Sequence, residues 1–210
     1  NSNFSVDTLV SPATFTVDAS DIPADAVLRQ ALLYWGGTQP EGSLADTDIT
    51  LQFPDGETGS ISADSSSSDT ASSAYDLWIC KRDITWDILS RGNGFTGAYG
   101  ISGYSGLIGD GGTDNASAAL IFIYEVAGTQ DRTIRLDDTL WRLASSTKTV
   151  SLSGLDAHEP IAGKIAYYTL EGDLGGTGTE QVSVQGTPGG ATSILSDVIN
   201  PTGNPMNHTI

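Results

Sequence analysis

SAALIFIYEV, residues 117–126, is the stretch that decides the fold. Apolar residues occupy both parities there, and Ile121, Phe122, Ile123 and Tyr124 are of the branched and aromatic types that suit a pleated surface. The run falls well short of the roughly 18 apolar residues of a membrane span. It predicts a central strand covered on both faces, with the core centred on it.

Outward from it, the same signals recur in both directions. Residues 27–35 (VLRQALLYW) form a second, mostly apolar strand, ended by Gly36-Gly37. Residues 13–18 alternate Phe15 and Val17 with small polar side chains, and residues 48–53 (DITLQF) put Ile49, Leu51 and Phe53 on one face before the turn residues Pro54-Asp55-Gly56. Residues 75–80, 132–137 (RTIRLD), 148–153 (KTVSLS), 164–170 (KIAYYTL) and 180–185 (EQVSVQ) continue the period-2 pattern. The polar run 63–73 (ADSSSSDTASS) reads as a mobile loop, and residues 97–112 as one strand with a long glycine-rich loop. One short helix is expected over 82–91 (RDITWDILSR), started by Asp83 and stopped by Gly92-Asn93-Gly94. The sum is an all-β chain, an antiparallel β-sandwich or jelly roll with one short helix.

A chain of 210 residues with 38% hydrophobic content fills a single core. The expected division is an N-terminal strand segment, 1–26, available for donation to a neighbouring subunit, and a sandwich domain, 27–210. The 26 acidic against 9 basic residues give a net charge of −17, which repels nucleic-acid phosphates and anionic membranes. Such a surface attracts hard cations, Ca²⁺ first, as well as serving solubility. Cys80 is the only cysteine, so no internal disulfide forms and the side chain reads as a small buried residue. Low Lys, high Ser, Thr and Gly, and a start at Asn1 that suits a removed signal peptide point to an extracellular or cell-surface location. Three Asn-x-Ser/Thr triplets, at Asn3, Asn115 and Asn207, fit the glycosylation pattern.

Several segments together resemble a domain of large exported bacterial and archaeal proteins, the DUF3344-like group. Ala31-Leu32-Leu33-Tyr34-Trp35 resembles its A-x-L-Y-W opening. Arg82-Asp83-Ile84-Thr85 with Gly92-Asn93-Gly94 resembles D-V-T-x-x-V followed by G-N-G. Residues 120–125 (LIFIYE) and 132–137 resemble L-x-V-V-Y-E followed by R-x-I-x-L-x-D. Glu171-Gly172-Asp173 matches a late E-G-D, and Asn200-Pro201 with Asn207-His208-Thr209-Ile210 resembles N-P followed by N-S-T-I. The resemblance spans residues 27 to 210 and implies an extracellular β-sandwich without an established catalytic activity. Similar domains run on past the last motif, which implies that a last strand is either missing here or supplied by another molecule.

Catalytic chemistry finds few residues. His158 lies in a turn-like segment and His208 near the last residue, neither near a Gly-x-Ser-x-Gly elbow. One cysteine and two distant histidines do not make a tetrahedral zinc site. The calcium candidates are Asp110 and Asp114 in the loop DGGTDN, and Glu171 with Asp173; Asp46-Thr47-Asp48 is a further acidic cluster. Each also reads as a solvated turn. Arg132 is expected in an ion pair with Glu125 or Glu171, since a buried guanidinium requires a carboxylate. Trp35, Trp78, Trp86 and Trp141 are core residues or, where exposed, a sugar-stacking platform.

These readings converge on a non-enzymatic structural or adhesive surface protein, the repeating subunit of a fibre assembled by strand exchange and stabilised by calcium. The strand-like segment 1–10 (NSNFSVDTLV) is the donor in that scheme. A carbohydrate-binding module with a surface glycan as partner is the alternative, and a glycoside hydrolase built on two carboxylates is the third reading.

Overall fold

The computed structural model describes residues 11–70, 74–106, 116–129, 132–138, 140, 147–151, 153, 166–168, 181–185, 192–196 and 207–209. Two compact units are present, one made of Asp7–Arg142 and Val150–Leu155, the other of the remaining segments. In the first, the strands are β1 (Ala13–Val17), β2 (Val27–Pro40), β3 (Asp48–Gln52), β4 (Thr58–Ser62), β5 (Ser65–Thr70), β6 (Tyr75–Asp83), β7 (Gly97–Ser102) and β8 (Ala116–Glu125). They form two antiparallel four-stranded sheets, sheet I in the order β1-β7-β3-β4 and sheet II in the order β5-β6-β2-β8. The fold is an all-β sandwich, as the alternation predicts.

Between the sheets lie Ala31, Leu33 and Trp35 of β2, Trp78 and Cys80 of β6, Ile49 and Leu51 of β3, Ile61 of β4, and Tyr99 and Ile101 of β7. A bulge at Arg29 sets which side of β2 joins them: Leu28 pairs Tyr124 while Gln30 pairs Ile123. Leu28 reaches the core from an even position, and beyond the bulge the core-facing residues are odd.

The centre of sheet II is β2, not β8. Nine consecutive residues, Ala31 to Gln39, are buried, and β2 has β6 on one side and β8 on the other. The predicted strand end at Gly36-Gly37 is also corrected, since β2 continues to Pro40. Gly37 stands opposite Trp78, so the missing side chain leaves room for the indole. The polar run expected as a loop contains β5 instead. All six residues of β5 are exposed, yet its backbone pairs β6 from Ser65↔Lys81 to Thr70↔Asp76, a strand held by its ladder rather than by burial.

The expected helix is α1 (Thr85–Leu89), a little over one turn. Ile84 and Ile88 are buried while Trp86 points outward. Asp83 fastens the start by accepting from the Thr85 N–H and hydroxyl, and Gly92 and Gly94 at positive φ terminate the segment. Residues 132–138 are irregular and exposed rather than a strand. No strand is found in the described part of 148–153 either.

The second unit contains two antiparallel ribbons. One pairs β9 (Ala166–Tyr168) with β12 (Asn207–Thr209), the other β10 (Gln181–Gln185) with β11 (Thr192–Ser196). β9 and β10 fall within the predicted strands 164–170 and 180–185.

Candidate functional site at the open edge of the sandwich

An antiparallel strand directs every second pair of backbone groups to one neighbour and the rest to the other side. β8 pairs β2 along its length, from Val27↔Glu125 to Gly37↔Ala116, and among the described residues no strand follows on its far side. Its core-facing side chains Ala116, Ala118, Leu120 and Phe122 pack against the core but are only half-buried, whereas Ala31, Leu33 and Trp35, their partners on β2, are fully buried. The difference follows from position: among the described residues, β8 has a strand on one side only.

Sheet I overhangs this edge. Tyr99 of β7 meets Phe122 of β8 with ring centroids 5.9 Å apart, and β1 lies one strand beyond β7. Phe15 of β1 stacks on Tyr99 at 5.6 Å, and Phe15 and Val17 are themselves half-buried. The place beside β8 and facing β1 therefore has an apolar floor, an apolar roof and a strand edge along one wall. Among the described residues no strand occupies it.

On the opposite face of sheet II, Asp138 reaches back to the strands. Its carboxylate accepts from the Tyr34 hydroxyl at 3.2 Å and pairs with the Lys81 ammonium, which also sits 5.8 Å from the Tyr34 ring centroid. These groups, with Ser65, Ser66 and Ser67 of β5, border a hollow of about 110 Å³, the room of only a few water molecules. The hydrogen bond from Lys81 holds the Asp138 carboxyl below its ordinary value, and the bond to Asp138 raises Lys81. The carboxylate's contribution is present above the unfolded carboxyl range near 4 and is lost as pH falls through the lower folded value. That of the lysine is present below about 10.5 and is lost as pH rises through the higher folded value. Both side chains are about one third exposed, so the pair is worth at most about 1 kcal/mol. Asp138→Asn is expected to lower the melting temperature by no more than about 2–4 °C at pH 7. The difference from wild type should close in a pH 2–3 scan; a gap unchanged at pH 2 would show that the carboxylate charge is not the cause.

The calcium candidates Asp110, Asp114, Glu171 and Asp173 lie outside the described residues, as do His158, Trp141 and the segment 1–10. Among the described residues no cluster of three metal-ligating side chains occurs. Asp46 instead accepts from the Ser105 N–H and hydroxyl, and Asp48 from Ser62 and Thr47, so that acidic cluster serves loop and strand contacts. Arg132 is exposed rather than buried, and Glu125 pairs with Arg29 across the bulge, which corrects the expected Arg132–Glu125 pair. Cys80 is buried as expected, and burial followed by the charges of Asp46 and Asp48 pushes its thiol up to about 11. Trp35 and Trp78 are core residues, while Trp86 is 77% exposed. No protein-family model matches the chain, and neither a curated protein nor a solved structure does.

Proposed function

We propose that this chain is an extracellular structural or adhesive module that associates with copies of itself through the open edge of sheet II. The observation that carries the reading is β8: ten residues, apolar on both faces, half-buried from Ala116 to Ile123, and paired on one side only among the described residues. Proteins that do not use such an edge blunt it with charge, proline or a covering element. β8 has no charged residue before Glu125, in a chain whose net charge is −17. The opposite edge of the same sheet, β5, is polar throughout, so the two edges differ in the way that a directed association requires. The resemblance to exported surface domains agrees with this role and with a non-catalytic one.

Placing a lysine on the edge strand is the direct test. Ile123 stands opposite Gln30, whose amide donates to Asp83, so a cation at this position meets acidic surroundings. Ile123→Lys is expected to leave the circular dichroism spectrum unchanged and to abolish species larger than the monomer in light scattering and electron microscopy. Filaments of undiminished length in the variant would refute the reading. Calcium belongs to the proposal on the strength of the acidic excess. Millimolar Ca²⁺ should raise the melting temperature and a chelator reverse it; the absence of any shift would remove calcium from the scheme.

A second reading is favoured by Trp86. An indole this exposed on a one-turn helix offers a flat face to a sugar ring. Glycan binding lost in Trp86→Ala, with self-association intact, would support a carbohydrate-binding role.

A further inference from the structure

Resting on the self-association reading, we infer that the place beside β8 accepts residues 1–10 of a second copy as a fifth strand of sheet II. The slot is specific about what it takes. A strand laid along β8 must turn one face to the floor and roof formed by Leu120, Phe122, Phe15 and Val17, and the other face outward. NSNFSVDTLV meets this demand with Phe4, Val6, Thr8 and Val10 on one parity, and Asn1, Asn3, Ser5 and Asp7 on the other, broken by Ser2 on the first and Leu9 on the second. The polar strand β5 of a neighbour would instead bring hydroxyls to both faces.

The donor is assigned to a second copy because of the short tether. Only Ser11 and Pro12 separate the segment from β1, which belongs to sheet I. Packed sheets lie about 10 Å apart, and three Cα–Cα steps from residue 10 to residue 13 span about 10–11 Å when fully extended. Insertion beside its own β8 would take up the whole of that span. Insertion into a neighbour carries no such constraint, and it links copies head to tail without closing a ring unless the rotation permits.

The experiment titrates a synthetic, labelled NSNFSVDTLV peptide into protein lacking residues 1–10, read by fluorescence anisotropy. Saturable binding is expected, weakened at least about tenfold, or about 1.4 kcal/mol, by Phe4→Asp with Val6→Asp in the peptide. Asn3→Asp with Ser5→Asp, on the outward face, should bind nearly as well as the unaltered peptide. If the truncated protein does not fold alone, recovery of its near-ultraviolet circular dichroism on adding peptide is the same readout. No saturable binding, or equal binding by the Phe4/Val6 peptide, overturns the inference. A monomeric full-length chain that refuses the peptide, while the truncated chain accepts it, shows the segment in its own slot and overturns the assignment to a second copy. Full-length filaments that survive the deletion but not Ile123→Lys would sink the donor alone and leave the edge reading standing. Failure of the full-length chain to self-associate under any condition would sink both.

Discussion

Trp35→Ala is expected to cost about 3–5 kcal/mol, the range for removing a buried aromatic ring. Trp35 is fully buried at the middle of β2, opposite Cys80 on one side and Ala118 on the other. Alanine and a thiol as flanking residues leave the indole to fill the space between the sheets, so truncation opens a cavity that no neighbour is long enough to fill. The loss includes a polar cost. The indole Nε1 donates to the Asp46 carbonyl at 2.9 Å, tying β2 to the segment before β3, and that oxygen keeps only a weak 3.7 Å contact from the Cys80 thiol. Against a typical domain stability of about 5–15 kcal/mol, this is a large share. The midpoint of urea unfolding should fall by about 1–3 M. Trp86→Ala supplies the contrast, with an expected change within about 0.5 kcal/mol because its side chain faces solvent. Equal costs for the two tryptophans would contradict the placement of the core.

Gly97→Ala is the second large effect, and its cause is the backbone. Gly97 opens β7 with φ +124°, a conformation that side chains other than hydrogen rarely tolerate, and a Cβ there would lie 2.8 Å from the Pro54 Cβ. Strain at such a φ costs about 1–3 kcal/mol and an overpacked contact a similar amount. A loss of about 2–5 kcal/mol is therefore expected from the unfolding midpoint. Gly56 separates the two causes, since its φ is +86° but nothing lies within 4 Å of the added carbon. Gly56→Ala should show the conformational part alone, about 1–3 kcal/mol. If both substitutions cost the same, Pro54 is not in contact with position 97. Because Gly97 pairs Val17, the variant should also loosen β1, the roof of the proposed slot.

Most of the sandwich was legible because its strands alternate. Ile49, Leu51 and Phe53 were placed on one face by period alone, and all three are buried. The misplaced centre of sheet II has a simple origin. Runs apolar at both parities imply cover on both faces, and two strands here satisfy that pattern: β2, which is central, and β8, which is an edge among the described residues. Pattern distinguishes a buried face from a wet one but says nothing about which lateral neighbours a strand has. β5 was missed because its serines carry no burial signal at all; only pairing with β6 makes it a strand. The bulge at Arg29 is equally silent in sequence, although the change of parity between Leu28 and Ala31 is its trace. At the candidate site, the alternation of residues 1–10 was readable and so was the apolar character of β8. Their meeting place was not, because it depends on β1 lying, among the described residues, one strand beyond the contact of β7 with β8.

The uninterrupted burial of Ala31 to Gln39 sets how this protein can diverge. Along most strands of a sandwich, every other position is free to drift toward charge or bulk, and descendants acquire new surfaces there. β2 lacks that freedom over nine successive residues, so novelty must accumulate on the flanking strands and in the loops. Lineages sharing this architecture would keep this spine while their exteriors become unrecognisable to one another.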